Sequence, residues 1–349
     1  MKTYDFRSDT TTRPTERMRQ AMANAEVGDD VYGEDPTVIL LERKAAEMVG
    51  KDAGLFVTSG TMGNLVAVLA HCARGEEAIM GTQGHTFLHE ASGISVLGGV
   101  AMHTVPNQPD GTIALADLEG ALRNPRDYHQ PISRLVILEN TQNDCGGVPI
   151  SLEYTKSVEA FARQHGLFLH LDGARLFNAA VALGLPASEL ASPVDSVTFC
   201  LSKGLCAPVG SVLCGNQDFI RKARRLRKLL GGGMRQAGVI AAAGIVGLEE
   251  MVERLAEDHQ LAARLARGLS EIEQVHLSKN SPQTNMVFFK IDSSVKLSTK
   301  EFLQAMRQEG VLLMDSGPGE YRMVTHHDVD EQAVDVSLSA FRKVLSRKC

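Results

Sequence analysis

Paired cysteines, long hydrophobic runs and an excess of positive charge are all missing from this sequence, and each absence excludes a class of protein. The 349 residues include six cysteines (Cys72, Cys145, Cys200, Cys206, Cys214 and Cys349), with no C-x-x-C pair, no partnered histidine spacing and no dense framework. That argues against a disulfide-stapled secreted domain and predicts reduced thiols in a cytoplasmic protein. The longest mostly apolar stretch, Ala237 to Leu248, is shorter than the ~18 residues a bilayer span requires and is rich in small side chains, so it predicts a buried helix. The N-terminus is polar and charged from Asp5 onward, which leaves no room for the apolar stretch of a signal peptide, and no export is expected. Lys and Arg number 36 against 42 Asp and Glu, a net charge of -6, and the basic cluster Arg221 to Lys228 reads as the solvated face of an amphipathic helix. Neither a nucleic-acid binder nor a membrane protein is expected.

What is present suits a globular chain: 44% hydrophobic residues, 32 glycines, and enough length for two domains or one large one. Asp35-Pro36 opens a helix by N-cap and N1 logic, Val38, Leu41, Ala45 and Met48 form its apolar stripe, and Gly50 closes it. Short apolar strands follow at Leu55–Thr58, Glu77–Met80, Leu135–Leu138, Leu167–Leu171 and Val197–Leu201, separated by helical stretches such as Leu152–Gln164. This alternation predicts an α/β fold with a parallel sheet covered on both faces. After Gly231-Gly232-Gly233 a long helical run, Gly238 to about Ile272, leads into strand Met286–Ile291, helix Lys300–Gln308, strands Val311–Met314 and Tyr321–Val324, and helix Glu331–Leu345, a small α+β domain. There is no internal repeat and no low-complexity linker.

Several residues carry chemistry. Lys203 is the only charged residue between Asp195 and Asp218, set among Val, Phe, Cys, Leu and Pro. Desolvation disfavours an ammonium there and frees an amine able to form a Schiff base, although a lysine reaching from a strand end to water is the plainer reading. Asp172 ends the strand of LFLHLDGARLF, where ligands sit in open α/β sheets; it suits a partner for a cofactor ring nitrogen, or equally an N-cap or a salt bridge to Arg175. Ser59, Gly60 and Thr61 join a strand to an apolar helix, which makes either a phosphate cradle or an ordinary capped turn. Arg235 lies in the glycine-rich GGGMRQ and reaches a phosphate or a neighbouring subunit unless the glycines are simply a hinge. Arg322 is a candidate carboxylate clamp or an edge-strand surface residue. His85, with His89 one helical turn on, is placed to stack on a cofactor ring, and His129 beside Tyr128 is a loop candidate for proton transfer. No metal ligand set and no Ser-His-Asp arrangement competes with these.

With these residues in place, the chain resembles the low-specificity L-threonine aldolases, members of the β-eliminating lyase group of fold type I pyridoxal phosphate enzymes. The carriers are DFRSDTTTRPT, EVGDDVYGEDP, SGTMGN, LENTQN, HLDGARLFNA, CLSKGLCAPVGS, GGGMRQAG and RMVTHHDV, which span nearly the whole chain. The resemblance implies an aspartate aminotransferase-like large domain with a mainly parallel sheet, residues 1–248, whose N-terminal segment contributes to the site, and a small α+β domain, residues 249–349. It implies pyridoxal 5'-phosphate held covalently by Lys203, with Asp172 on the ring nitrogen, His85 on the ring face and Ser59, Gly60 and Thr61 on the phosphate. It also implies that Arg235 reaches a neighbouring subunit's phosphate in a homotetramer with shared active sites. Ser8, Arg175 and Arg322 would hold the amino acid's carboxylate, Tyr32 would stand close by, and His129 would lie near the substrate hydroxyl. Two departures are visible: Gln142 stands where many members have histidine, and TFLHEASG lacks the tyrosine common after the stacking histidine. The expected reaction is retro-aldol cleavage of L-threonine and L-allo-threonine to glycine and an aldehyde. β-Elimination or transamination on the same scaffold, or a catalytically silent pyridoxal phosphate protein, are the alternatives.

Overall fold

The computed structural model describes residues 2–346. Its centre is a seven-stranded sheet in the order Ala53–Val57, Ser211–Gly215, Ser196–Cys200, Phe168–Asp172, Ile132–Glu139, Glu76–Gly81, Ala101–Val105. All neighbours run parallel except Ser211–Gly215, which is antiparallel to both strands beside it. The expected strands lie within a few residues of these positions. Ser211–Gly215 and Ala101–Val105 were not expected as strands: SVLCG is too short and uniformly apolar to show a period, and Ala101–Val105 sits half-covered at the sheet edge.

Helices cover both faces, as a parallel sheet requires. Asp35 caps the helix Pro36–Met48 by accepting the Val38 N–H at 3.0 Å, and Gly50 ends it in the left-handed region at φ +64°. On the opposite face the helix Gly60–His71, capped by Ser59, packs against the centre of the sheet. Gly63 makes that approach possible, because a Cβ there would lie 2.4 Å from Thr198 Cγ2.

The long helical run is interrupted. It divides into Gly238–Val246, a wider π-helical turn at Gly247–Met251, and Leu255–Ser270. The interruption is where the packing changes partner: Met251 and Leu255 belong to the core beneath the large sheet, whereas Ala262, Leu265 and Leu269 belong to a second core. That second core is built on a four-stranded antiparallel sheet, in the order Met314–Gly317, Glu320–Val324, Met286–Ile291, Val275–Leu277. Helices Leu255–Ser270, Thr299–Gln308 and Glu331–Ser346 close over it. The single strand expected at Val311–Met314 is two: Val311–Leu312 pairs in parallel with the N-terminal strand Tyr4–Asp5, and the chain then turns to join Glu320–Val324. Tyr4 and Phe6 are buried in the second core, so the N-terminal strand is anchored there.

Among the described residues no helix is long and apolar enough to cross a membrane. The five described cysteines are buried and free, and Cys349 lies outside the described residues. Because Thr198 is a short side chain on a buried central strand, Gly63→Ala has nowhere to place its methyl group. The substitution is expected to destabilise the fold by about 1–3 kcal/mol, read as a lowered urea midpoint with an unchanged slope.

Candidate active site

The parallel strands end on one edge of the sheet, and the chemistry-bearing residues gather there. Asp172 terminates its strand with its carboxylate buried. One oxygen accepts from the Ala174 N–H at 3.1 Å and the other from Asn64 Nδ2 at 2.7 Å. Neither plain alternative for Asp172 holds: the next helix begins at Leu176 with Arg175 at its cap position, and Arg175 pairs elsewhere. Among the described residues Asp172 makes no ion pair, and its carboxylate clusters with His85 and Glu90, their ligand atoms within 4.8 Å of one another, a position from which it could meet a cation such as a protonated ring nitrogen. Lys203 lies in the turn after strand Ser196–Cys200 and is partly covered.

A cavity of about 570 Å³ opens here, lined by residues that include Ser8, His85, His89, Arg175, Lys203 and Arg322. The structure thus brings five of the expected residues, Ser8, His85, Arg175, Lys203 and Arg322, to one cavity. Arg175 is buried and gives Nε and Nη2 to the two oxygens of Asp9 at 2.8 and 2.6 Å. Burial alone would raise the Asp9 carboxyl, but the Arg175 guanidinium, with Lys203 behind it, holds it well below the ordinary carboxylate range. Arg322 donates from Nη1 to Asn143 Oδ1 at 3.1 Å, and its buried Nε has no hydrogen-bond partner among the described residues. Burial, with Arg175 nearby, lowers the Arg322 guanidinium to about 10, which still leaves it charged at neutral pH. An unpartnered N–H on a charged guanidinium beside a cavity suits a carboxylate.

His85 donates or accepts through Nδ1 at Glu90 Oε1, 2.8 Å away, and this bond raises its pKa against the opposing effect of burial. Its ring centroid is 5.3 Å from that of His89, so both imidazoles belong to the cavity wall. Glu139 is buried and is the direct register partner of Asp172 on the neighbouring strand. Burial first, and the Asp172 charge second, push its carboxyl up to about 8. Ser59 Oγ accepts from the Met62 N–H at 3.1 Å, so Ser59, Gly60 and Thr61 do form a capped turn, and that turn also presents the open N-terminus of a 12-residue helix.

The cavity lining does not include Asp172, Ser59, Gly60 or Thr61, and His129, Arg235 and Tyr32 are absent from it too. His129 stands on an exposed loop with Nδ1 on Asp127, its side chain 95% exposed. Arg235 pairs with Asp29 at 2.8 Å and lies over the ring of Tyr32, and both side chains face outward within the single chain. Gln142 is wholly occupied, donating to Gln83 O and accepting from the Cys145 N–H, so the side chain of LENTQN that reaches the cavity is its neighbour Asn143. The sequence reading also missed Asp9, Asn64 and Glu90. Asp9 sits inside the DFRSDTTTRPT segment, and Glu90 five residues after His85, but only the folded chain gives them partners.

The Beta-eliminating lyase family matches residues 5–292. The chain belongs to that family. It is 47% identical over 99% of its length to low-specificity L-threonine aldolase 1 of Arabidopsis thaliana, covering 97% of that protein. It is 44% identical over 98% of its length to the low specificity L-threonine aldolase of Escherichia coli K12, covering 99% of it. The solved structure of Leishmania major threonine aldolase superposes with a TM-score of 0.82 at 24% identity, over 98% of this chain and 99% of that one, and shares the fold. The mainly parallel α/β architecture expected of a fold type I member is therefore the one found.

The Asp9–Arg175 pair gives a direct test. Removing the carboxylate leaves a buried guanidinium uncompensated, so Asp9→Ala is expected to lose about 3–5 kcal/mol in urea denaturation at pH 7. Since the folded state lowers the Asp9 pKa from 3.8, the pair's contribution is complete above that value and fades as pH falls through the folded value. The difference between wild type and variant should accordingly narrow in acid.

Proposed function

We propose that this chain is a pyridoxal phosphate-dependent aldehyde-lyase that cleaves L-threonine, L-allo-threonine and related β-hydroxy-α-amino acids to glycine and an aldehyde. The observation that carries the reading is a buried Asp172 carboxylate without a cationic partner, at the same sheet edge as Lys203 and the two guanidiniums of Arg175 and Arg322. The close similarity to aldolases over the full length supports the same reaction.

The residues fit the cofactor. Lys203 would hold its aldehyde carbon, Asp172 its ring nitrogen, His85 its ring face, and the turn Ser59, Gly60 and Thr61 its phosphate. When bound, pyridoxal phosphate supplies a conjugated ring that accepts the electron pair released from the amino acid's α-carbon. The protein's part is orientation and proton handling. Arg175 and Arg322, with Ser8 beside them, fix the substrate carboxylate and so decide which bond at Cα is presented for cleavage. Asp172, with an N–H donor on each carboxylate oxygen, would pair with the ring nitrogen. The β-hydroxyl must lose its proton as the Cα–Cβ bond breaks and the aldehyde departs, and Cα must then gain a proton to become glycine. His85 and His89 line the cavity and stand nearest that chemistry; His129 is assigned to the hydroxyl on the family resemblance alone.

Arg235 and Tyr32 are exposed and outside the cavity lining of their own chain, as side chains that complete a neighbour's site would be. A homotetramer with shared sites, Arg235 reaching the adjacent phosphate, accounts for both. The free buried cysteines suit a cytoplasmic setting.

The cofactor-loaded enzyme is expected to release acetaldehyde and glycine in equal amounts from both threonine diastereomers, quantified in one tube. Lys203→Ala should lose both the bound chromophore and the activity. Arg322→Lys, which loses the planar fork, should raise KM about tenfold or more. Ammonia and a keto acid in place of acetaldehyde would instead mark an elimination or transamination enzyme.

A further inference from the structure

A continuous line of buried polar side chains runs behind the sheet edge and joins the site described above at Asn64, Glu90 and Asp172. Asn64, on the helix Gly60–His71, donates from Nδ2 to Asp172 Oδ2 at 2.7 Å and to Glu90 Oε1 at 2.8 Å. Asn64 Oδ1 meets His170 Nε2 at 3.2 Å, His170 Nδ1 meets Ser196 Oγ at 2.8 Å, and Ser196 Oγ meets His71 Nε2 at 2.8 Å. Asn64 is 1% exposed, and His170 and Ser196 are fully buried.

Counting donors fixes the direction of every bond. The amide nitrogen of Asn64 faces two carboxylate oxygens, so the opposite orientation would set its oxygen against them. Its oxygen must then accept from His170 Nε2–H, which leaves His170 Nδ1 as an acceptor for the Ser196 hydroxyl. The Ser196 oxygen in turn accepts from His71 Nε2–H. Burial keeps both imidazoles neutral, lowering His170 to about 4 and, with help from the neighbouring His170, His71 to about 3. A neutral His170 is what this arrangement needs, because a second ring proton would turn the Ser196 hydroxyl around. A core selected for stability alone would fill these places with apolar side chains, since buried polar chains add little net stability.

We propose that Asn64, aligned by His170, Ser196 and His71, is a positioning residue that holds Asp172 and the His85–Glu90 pair together in their working arrangement. This rests on the cofactor reading above. One of its N–H groups holds the Asp172 carboxylate in place for the cofactor's ring nitrogen, and the other fixes Glu90 as the anchor of the His85 imidazole.

The test uses the holoenzyme, labelled with 15N in histidine and loaded with pyridoxal phosphate labelled at the ring nitrogen. Wild type should show His71 and His170 as neutral Nε2–H tautomers from pH 6 to 8 and a protonated ring nitrogen. In Asn64→Leu the ring-nitrogen resonance should move toward the neutral position, and kcat should fall about tenfold with KM little changed. Ser196→Ala, a milder change two links away, should produce a smaller shift of the same resonance and keeps the test usable if the leucine variant does not fold. His170 found as the Nδ1–H tautomer, or variants that lose thermal stability while ring nitrogen and kcat stay as in wild type, would overturn the proposal. If no acetaldehyde forms even in wild type, the aldolase reading fails, yet the tautomer and ring-nitrogen measurements still decide the role of Asn64.

Discussion

The buried ion pair between Asp9 and Arg175 is the joint on which the substrate side of the site depends. Asp9 comes from the N-terminal segment, whose strand is sewn to the small domain, and Arg175 from the helix start beyond the central strand of the large one. The pair therefore ties both cores to one point. Without it Arg175 would be free to swing, and Asn143, which bridges Arg175 and Arg322 through one carbonyl oxygen, would lose one of the two cations it holds in register. Two guanidiniums packed this closely repel, and the Asp9 anion offsets that repulsion.

Charge is layered with depth. Asp172, Glu90 and Glu139 form an acidic floor at the strand ends and below the histidines, while Lys203, Arg175 and Arg322 form a cationic rim. Three carboxylates so near one another cannot all remain ionised without help, which is why Glu139 is pushed upward while Asp172 is surrounded by N–H donors. The arrangement suits a ligand with a cationic ring and an anionic carboxylate at opposite ends.

Much of this was legible in the sequence where the information is local. Strand–helix alternation, the helix opened by Asp35-Pro36 and the position of Asp172 at a strand end all depend on residues within one element. The break in the long helical run was hidden, because a π-helical turn has the same composition as the helix around it and arises from close packing of Gly247 against the Leu205 carbonyl. Asp9 and Arg175 lie 166 positions apart, and Asn64 and Asp172 lie 108 apart, so no local pattern announces either meeting. Gln142 and Asn143 show the same limit at one-residue scale: adjacent in sequence, one turns into the wall and the other into the cavity. Arg235 and His129 were named from their loops and Tyr32 from family likeness, and a single chain offers no surface against which to place them.

The most direct measurement is a crystal structure of the cofactor-loaded enzyme with the product glycine bound. The account predicts the ring nitrogen within hydrogen-bond distance of Asp172, and the glycine carboxylate on the guanidiniums of Arg175 and Arg322 with the Asp9–Arg175 pair intact. A ring nitrogen turned away from Asp172, or a carboxylate seated away from both arginines, would contradict it.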